Sequence, residues 1–292
     1  TATTEIYTLS LHDALPISNG QLGNELRLIA ENSKHNFLFT DLPELDITNE
    51  KMVNEFFQTN KPDACINCAA YTAVDKAETD KELAFKINAE APRILASACS
   101  ELNIPFVQVS TDFVFDGNKS QPYKEADITN PLGVYGESKL QGEAEAIKSN
   151  NKTFVVRTAW LYSTFGNNFV KTMIRLGNER PELNVVFDQI GTPTYAGDLA
   201  AALVTMLERS NGNDYGIYHY SNEGACSWYD FTCAIFEMKN ISTPVHPIEA
   251  KQYPTLAQRP HFSVLNKSKI KNAFNITIPH WRVSLKKCIE QL

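Results

Sequence analysis

The sequence has no surplus of basic residues. Its 292 residues include 27 Lys and Arg against 34 Asp and Glu, which gives a formal net charge of -7 at pH 7. A protein that binds nucleic acid along the phosphate backbone needs a basic surface. The composition therefore argues against a nucleic-acid partner and favours a small-molecule ligand.

Long apolar runs are also missing. A membrane-spanning helix needs about 18 or more consecutive apolar residues, and the sequence has no such run. The N-terminus does not show the basic region, apolar stretch and cleavage site of a secretory signal. Because 43% of the residues are hydrophobic and 21% are charged, the composition is that of a soluble folded protein. We expect a cytoplasmic location.

Cysteine is scarce and scattered. The six cysteines do not form the dense framework of a disulfide-stabilised domain. Cys65 and Cys68 form a C-x-x-C pattern, which occurs in redox sites and in halves of zinc sites. However, no second closely spaced pair of Cys or His completes four ligands, and the pattern lies in an apolar run. We therefore interpret the cysteines as reduced, mostly buried thiols and predict no metal site.

From residue 19 onward, short β-rich runs alternate with longer helical patterns, which is the signature of βαβ units and a parallel sheet. We predict helices near 21–32, 49–60, 79–102, 132–150 and 168–178. We predict strands near 36–40, 64–68, 106–110 and 153–158. Their continuous apolar character indicates strands that are covered on both faces. The prediction is an α/β fold with a Rossmann-like, doubly wound parallel sheet, and residues 19–178 would be its dinucleotide-binding domain.

Beyond residue 178 the alternation is looser. Strands are expected near 185–187 and 217–220, helices near 196–210 and 227–239, and prolines punctuate residues 244–260. We expect 179–292 to be mainly a smaller, irregular substrate-binding lobe, some of whose strands or helices can return to the Rossmann core.

Residues 1–18 break the pattern. A Rossmann sheet needs a buried apolar strand directly before its glycine turn, but Asp13 and Pro16 stand there, and proline cannot donate to a central ladder. The stretch 7–17 also resembles the translation of a common sequencing-adapter oligonucleotide. We hypothesise that residues 1–18 are a non-native segment that replaced the first strand. The alternative is a divergent native strand over 6–11.

Two glycines and one acidic residue point to a dinucleotide. Gly20 and Gly23 supply the last two glycines of a G-x-x-G-x-x-G turn, and Ile17 occupies the place of the first. Asp41 follows the apolar run 37–39 and lies 18 residues past Gly23, close to the spacing of about 20 for the acid that binds the adenosine ribose. Because a carboxylate repels a 2′-phosphate, NADH should at least be tolerated.

Tyr135 and Lys139 form a Y-x-x-x-K pair at the start of a helical pattern. A spacing of four places both side chains on one helix face. A neighbouring ammonium and the positive nicotinamide ring favour the phenolate and should bring proton exchange by Tyr135 toward neutral pH, so Tyr135 is a candidate general acid. The Ser-Thr-Asp segment 110–112 ends a predicted central strand, where open α/β sheets bind ligands. Thr111, Tyr135 and Lys139 together form the set typical of short-chain dehydrogenases.

Several longer motifs, in the same order, resemble the dTDP-4-dehydrorhamnose reductases, a family of the extended short-chain dehydrogenase class. The matching segments are 67–78, 110–117, 135–139, 157–162, 166–173, 188–194 and 259–260. The chain departs from the family in its missing first strand and first glycine. It also has Cys68 where the family usually has alanine.

Position by position, the resemblance implies three groups of site residues. The catalytic residues would be Thr111, Tyr135 and Lys139. The substrate-binding residues would be Thr111, Asp112, Trp160 and Arg259. The cofactor-binding residues would be Gly20, Gln21, Leu22 and Gly23 at the pyrophosphate, Asp41 at the ribose, Asp46 and Ile47 on the adenine side, and Ala69, Ala70, Tyr71, Thr72, Tyr135 and Lys139 along the cleft.

Two of these assignments have an alternative. Trp160 would be a plain core aromatic residue if it does not contact the sugar nucleotide. Arg259 would clamp the diphosphate through its planar fork, but a late surface arginine can also be merely solvated.

The resemblance implies reduction of the C4 keto group of dTDP-4-dehydro-L-rhamnose to dTDP-L-rhamnose, with NADPH or NADH as cofactor. Tyr135 would protonate the alkoxide, Thr111 would polarise the carbonyl and Lys139 would tune Tyr135. Two alternatives stay open: a non-catalytic regulatory or binding subunit of the same fold, and a nucleotide-sugar epimerase or dehydratase. A homodimer is compatible with the sequence, and a Mg²⁺ requirement cannot be inferred from it.

Overall fold

The computed structural model describes residues 6–10 and 20–292. The strands are β1 Ile6–Ser10, β2 Asn36–Thr40, β3 Ala64–Asn67, β4 Phe106–Thr111, β5 Thr153–Thr158, β6 Leu161–Tyr162, β7 Leu183–Val186, β8 Ile190–Gly191, β9 Thr194–Tyr195, β10 Gly216–His219, β11 Cys226–Ser227 and β12 Val245–Ile248. The helices are α1 Gln21–Ala30, α2 Glu50–Asn60, α3 Val74–Ala77, α4 Lys81–Phe85, α5 Ala91–Glu101, α6 Val134–Ser149, α7 Phe169–Glu179, α8 Ala196–Arg209, α9 Trp228–Lys239, α10 Ser268–Phe274 and α11 Trp281–Ile289.

A central sheet has the order β10-β5-β4-β3-β1-β2. The strands β3, β4, β5 and β10 run parallel to one another. Every residue of β3 and β5 is buried, because these continuous apolar runs are covered by helices on both faces. The predicted α/β class with a parallel central sheet is confirmed.

The strand β1 departs from the predicted topology. It lies between β2 and β3 but runs antiparallel to both, and Ile6 pairs with Thr40 and with Asn67. Ladder hydrogen bonds form in either strand direction, so the gap in the sheet does not dictate the direction of a short strand. As a result, the last residue of β1 lies opposite Asn36, the first residue of β2. The chain therefore leaves β1 at the end of the sheet that is farther from Asp41. Pro16 and Ile17, on which our interpretation of the turn depends, lie outside the described residues.

Helices cover both faces of the sheet. On one face, α1 and α8 pack together through Leu22, Leu26, Leu199 and Leu203 over the sheet residue Val156. On the other face, α2 and α5 pack over β3 and β4 in a second apolar cluster, and α5 also contacts α6. This three-layer arrangement leaves the carboxyl ends of the parallel strands free to form a site.

The helix predicted over 79–102 is interrupted. The structure divides it into α4, a π-helical turn at Lys86–Glu90 and α5. Single π-helical turns inside α-helices often occur at functional sites. Here the π-helical turn faces α6, which carries two predicted catalytic side chains.

The late part of the chain builds a second lobe and also returns to the sheet. The helices α7, α9 and α11 share one apolar core with Phe231 and Trp281, and β7 pairs with β12. In contrast, α8 and β10 belong to the central three-layer unit. Within residues 20–292, no helix combines the length and apolar character that crossing a bilayer requires.

Candidate active site

A cleft of about 490 Å³ lies beside the carboxyl ends of β4 and β5. Its aromatic lining residues are Phe113, Trp160, Phe169, Trp228 and Tyr253. Its polar lining residues are Thr172, Asn184, Gln189, Arg259 and Ser263. Aromatic faces together with a cation suit a ligand that carries both a flat ring and an anionic group.

Thr111 and Tyr135 meet at the end of β4. The Thr111 hydroxyl accepts a hydrogen bond from the Phe113 amide at 3.2 Å and donates one to Asp112 Oδ1 at 3.1 Å. The Tyr135 phenol is also hydrogen-bonded to Thr111, and its ring packs edge-to-face on Phe113 with centroids 5.4 Å apart. The structure therefore brings these two predicted catalytic residues together.

The first turn of α6 is fixed by close packing. The amide of Val134 donates to Glu78 Oε1 at 2.9 Å. A Cβ at Gly136 would lie 2.3 Å from the Phe113 carbonyl oxygen, so only glycine allows the helix to approach this closely. This approach sets the distance between Tyr135 on the helix and Thr111 on the strand.

The Tyr135 side chain holds its proton firmly. Burial raises its pKa to about 12, the interaction with the Thr111 hydroxyl opposes this increase, and the charge of Asp112 adds to it. The sequence-based expectation of proton exchange nearer neutral pH also depends on the positive nicotinamide ring, so it stays a prediction. At neutral pH Tyr135 is thus a phenol, the form that a general acid needs.

Lys139 lies one turn further along α6 and is buried. Its ammonium donates a hydrogen bond to the Val109 carbonyl at 2.7 Å. Burial lowers the pKa of Lys139 to about 8, while the charges of Glu143 and Cys68 act in the opposite direction. Lys139 is therefore a cation at neutral pH, although burial weakens its hold on the proton.

Asp112 is a buried carboxyl group beside Thr111. Burial raises its pKa to about 6, although hydrogen bonds to Ser263 and Thr111 oppose this. Its Oδ2 atom is buried and makes no hydrogen bond within the described part of the chain. An unsatisfied acceptor next to a cleft can be paired by a ligand hydroxyl.

Trp160 is a half-buried residue that lines the cleft, so it is not a plain core aromatic. Its backbone has φ +47, a left-handed conformation that is uncommon for a bulky residue. Its ring stacks on Trp228 at a centroid distance of 3.4 Å. A Cβ at Gly191 would lie 2.5 Å from the Trp160 ring, so this glycine makes room for the indole.

Arg259 lines the same cleft but is not a free solvated cation. Its Nη2 atom lies 2.7 Å from Asp75 Oδ2, and the amide of Ala257 donates to Asp75 Oδ1 at 3.0 Å. Asp75 follows β3 in the Rossmann unit, whereas Arg259 belongs to the late segment. The ion pair therefore connects the late segment to the Rossmann unit. Arg259 remains a lining residue of the cleft.

The predicted pyrophosphate residues lie at the start of α1. Gly20 is the N-cap of this helix, and glycine has no side chain that could cap the amides of the first turn. Such amides bind anions. Gln21 is half-buried, and Leu22 and Gly23 are buried, so Leu22 contributes its backbone to this site and its side chain to the core.

The predicted nucleoside residues follow β2. Asp41 is largely buried, and its Oδ1 accepts from the Leu42 amide at 2.8 Å. Asp46 accepts from the amide and hydroxyl of Thr48. Ile47 is fully buried in a core cluster, so its side chain packs in the interior and only its backbone can face an adenine.

The segment after β3 is fixed by Asn88 of the π-helical turn. Asn88 Oδ1 accepts from the Tyr71 amide at 2.8 Å, and Asn88 Nδ2 donates to the Tyr71 carbonyl at 3.1 Å and to the Ser138 hydroxyl at 3.0 Å. Ala69 is buried, Ala70 is half-buried and Thr72 is exposed. One buried side chain thus joins the predicted cofactor loop to the catalytic helix.

Sequence reasoning missed three residues of this site. Asn88 lies inside a regular helical pattern, and Glu143 resembles any other charged residue of α6. Trp228 stacks on Trp160, but the two are far apart in sequence. The only local signal was an asparagine within the apolar positions of a predicted helix.

The structure does not join Cys65 and Cys68 in a disulfide. Cys65 is fully buried and interacts with Cys99. None of the six cysteines forms a disulfide within the described residues. In the part of the chain that the structure describes, no group of three His, Cys, Asp or Glu side chains could hold a metal ion.

Comparison with known proteins gives consistent matches. The family model described as RmlD substrate binding domain matches residues 17–292. A dTDP-4-dehydrorhamnose reductase from Aggregatibacter actinomycetemcomitans is 44% identical over 280 residues, which cover 92% of this chain and 95% of the relative.

Solved structures agree with this match. A dTDP-4-dehydrorhamnose reductase from Clostridium acetobutylicum is 44% identical with a TM-score of 0.90, over 94% of this chain and 96% of the other. The same enzyme from Bacillus anthracis, solved in complex with NADP, is 39% identical with a TM-score of 0.89, again over 94% and 96%.

Proposed function

This chain belongs to the RmlD substrate binding domain family, and we propose that it reduces dTDP-4-dehydro-L-rhamnose to dTDP-L-rhamnose with NADPH or NADH. The observation that carries the proposal is the convergence of Thr111, Tyr135 and Lys139 beside the aromatic cleft. The relatives named above support the choice of substrate and cofactor.

The residues around α1 and β2 fit a nicotinamide dinucleotide. The first turn after Gly20, which no side chain caps, would offer amides to a pyrophosphate, and Asp41 would accept a hydrogen bond from a ribose hydroxyl. When bound, the cofactor supplies the hydride that reduces the C4 carbonyl.

Side chains of the protein would donate the proton and stabilise the charges that form. Tyr135, protonated at neutral pH, would donate its phenolic proton to the C4 oxygen as negative charge develops there. The Thr111 hydroxyl would donate a hydrogen bond to the same oxygen. Lys139, a buried cation one helical turn away, would stabilise the phenolate that remains on Tyr135.

The cleft would hold the rest of the substrate. Asp112 would accept a hydrogen bond from a sugar hydroxyl through its unpaired Oδ2. Trp160 would pack on the sugar, backed by Trp228. Arg259, oriented by Asp75, would pair with the diphosphate through its planar guanidinium.

Two other functions make different experimental predictions. A regulatory subunit of the same fold would bind ligand without turnover, although a chain without catalytic duty need not retain Thr111, Tyr135 and Lys139. An epimerase or dehydratase would use tightly held NAD without net consumption.

The deciding assay follows NADPH and NADH absorbance after dTDP-4-dehydro-L-rhamnose is added. We expect stoichiometric oxidation of the cofactor and formation of dTDP-L-rhamnose. Binding without oxidation would favour the subunit, and sugar conversion without net oxidation would favour the epimerase or dehydratase.

The proposed substrate suggests where the protein works, whereas its assembly needs a separate measurement. A reductase that uses a nucleotide sugar and a nicotinamide cofactor would work in the cytoplasm, where both are made. A homodimer stays a prediction, which size-exclusion chromatography with light scattering checks.

A further inference from the structure

Glu143 is a buried carboxylate that the proposed reaction does not yet use. It lies on α6 with only 2% of its surface exposed. Arg157 holds it with a guanidinium fork, with Nε at 2.9 Å from Oε1 and Nη2 at 2.7 Å from Oε2. The Ser110 hydroxyl donates to Oε1 at 2.5 Å. These contacts from β4 and β5 fix the position of the carboxylate.

Glu143 and Lys139 lie side by side. They are four residues apart on one helix, so their side chains share a face. Independent contacts place them together as well, because Lys139 binds the Val109 carbonyl and Glu143 binds the hydroxyl of the next residue, Ser110. The Glu143 carboxylate, which is paired with Arg157, therefore lies on the side of α6 that carries the buried ammonium.

The groups around Lys139 come from every neighbouring element. Glu143 and Tyr135 lie on its own helix, Asp112 follows β4, Arg157 lies on β5 and Cys68 follows β3. After burial, which disfavours the ammonium, Glu143 is the largest influence on the Lys139 pKa and raises it, and Cys68 contributes in the same direction. Arg157 fixes the position of the carboxylate.

We propose that Glu143 is a positioning residue for the reduction: held by Arg157 and Ser110, it keeps Lys139 charged and in place next to Tyr135. The inference rests on the proposed function for its catalytic meaning, but the charge relationship exists without substrate. A purely structural ion pair would stabilise the contact between α6 and β5 and leave the proton affinity of Lys139 unchanged.

The test compares Glu143→Gln with Glu143→Asp, which retains the charge. Glu145→Gln is the matched control, because it removes the same charge from the same helix, and Glu145 forms no ion pair with any described residue. The first readout is the pH titration of the Lys139 side-chain resonance in ¹³C-lysine protein without substrate or cofactor, assigned by its loss in Lys139→Arg. The second is the pH dependence of kcat/KM.

We expect the Lys139 titration to fall by about one pH unit or more in Glu143→Gln, the shift that loss of an adjacent opposite charge causes. The alkaline limb of kcat/KM should move to lower pH by the same amount, since the lysine must be protonated. Glu143→Asp should move less, and Glu145→Gln should match the wild type. Equal titration in Glu143→Gln and wild type, with activity reduced uniformly at every pH, would overturn the proposal.

A second variant covers the case in which Glu143→Gln does not fold with Arg157 left unpaired. The double variant Glu143→Gln/Arg157→Gln replaces the ion pair with neutral side chains, a change that buried pairs often tolerate. A downward shift is expected that is smaller than in Glu143→Gln, because a positive charge is lost as well, and an unchanged titration would again overturn the proposal. If the wild type shows no turnover, the proposed function fails, but the titration still decides the role of Glu143.

Discussion

Gly142 of α6 faces Asn88 so closely that a Cβ on the glycine would lie 1.9 Å from the Asn88 carbonyl oxygen. The π-helical turn and α6 can touch at this point only because residue 142 has no side chain. The contact allows Asn88 to reach the Ser138 hydroxyl, between Tyr135 and Lys139 along the helix.

Gly142→Ala should therefore push α6 away from the π-helical turn. We expect the free energy of unfolding to fall by about 1–3 kcal/mol, the usual cost of overpacking, and kcat/KM to fall because Tyr135 and Lys139 move. Urea denaturation and steady-state kinetics measure the two effects. Ala144→Ser, on the exposed side of the same helix, should behave like the wild type. An unaltered unfolding midpoint for Gly142→Ala would contradict the packing described here.

Tyr135→Phe should remove turnover while leaving cofactor affinity nearly intact. General acid catalysis contributes about 10² to 10⁴ in rate, so we expect kcat to fall by about two to four orders of magnitude. Single-turnover kinetics and fluorescence titration with NADPH separate the chemical step from binding. A variant that keeps more than about a tenth of the wild-type kcat would show that Tyr135 is not the proton donor.

Asp112 should make the protein less stable as the pH rises. Burial raises its pKa from 3.8 to about 6, so between these values the folded protein binds more protons than the unfolded chain. The stabilisation is complete below about pH 4 and is lost as the pH rises through about 6. Asp112→Asn should remove this loss, which amounts to at most about 3 kcal/mol. Urea denaturation of both proteins at pH 4 and pH 7 measures it, and a variant that gains nothing relative to wild type at pH 7 would refute it.

Asp41→Ala should shift cofactor preference toward NADPH. The substitution removes both a hydrogen-bond acceptor for the ribose and a negative charge that repels a 2′-phosphate. We expect the ratio of kcat/KM with NADPH to kcat/KM with NADH to rise. Glu44→Ala, an exposed carboxylate in the same loop, is the control. The same ratio in Asp41→Ala and wild type would mean that Asp41 does not bind the ribose.

Replacing residues 1–18 with an apolar strand that ends in Gly-Ala should stabilise the protein and improve NADH binding. A parallel first strand would end directly before Gly20, at the carboxyl ends of the parallel strands. The antiparallel β1 instead ends at the other end of these strands. The melting temperatures of both proteins with and without NADH provide the test. Equal temperatures and equal NADH shifts would indicate that the N-terminal segment is a competent native strand.

The sequence was most informative where local pattern and chemistry coincide. Continuous apolar runs gave β3, β4 and β5, and the spacing of Tyr135 and Lys139 placed both on α6. The direction of β1 could not be predicted, because its neighbours in the sheet can pair with it either way.

Relationships across the fold were beyond sequence reasoning. The helical pattern of 79–102 shows only that Asn88 stands among apolar positions, because its three hydrogen bonds are made with segments distant in the chain. The same holds for Glu143, whose importance depends on burial by β4 and β5. The raised pKa of Tyr135 reflects burial as well, which a motif does not encode.

The return of α8 and β10 to the central sheet makes the two lobes one cooperative unit. A cut after residue 178 would expose the edge of β5 and the apolar faces of Leu22 and Leu26, which pack against α8. We therefore expect the nucleotide-binding half to reach its native state only when α8 and β10 are present, although most of the predicted cofactor site is encoded in the first half of the chain.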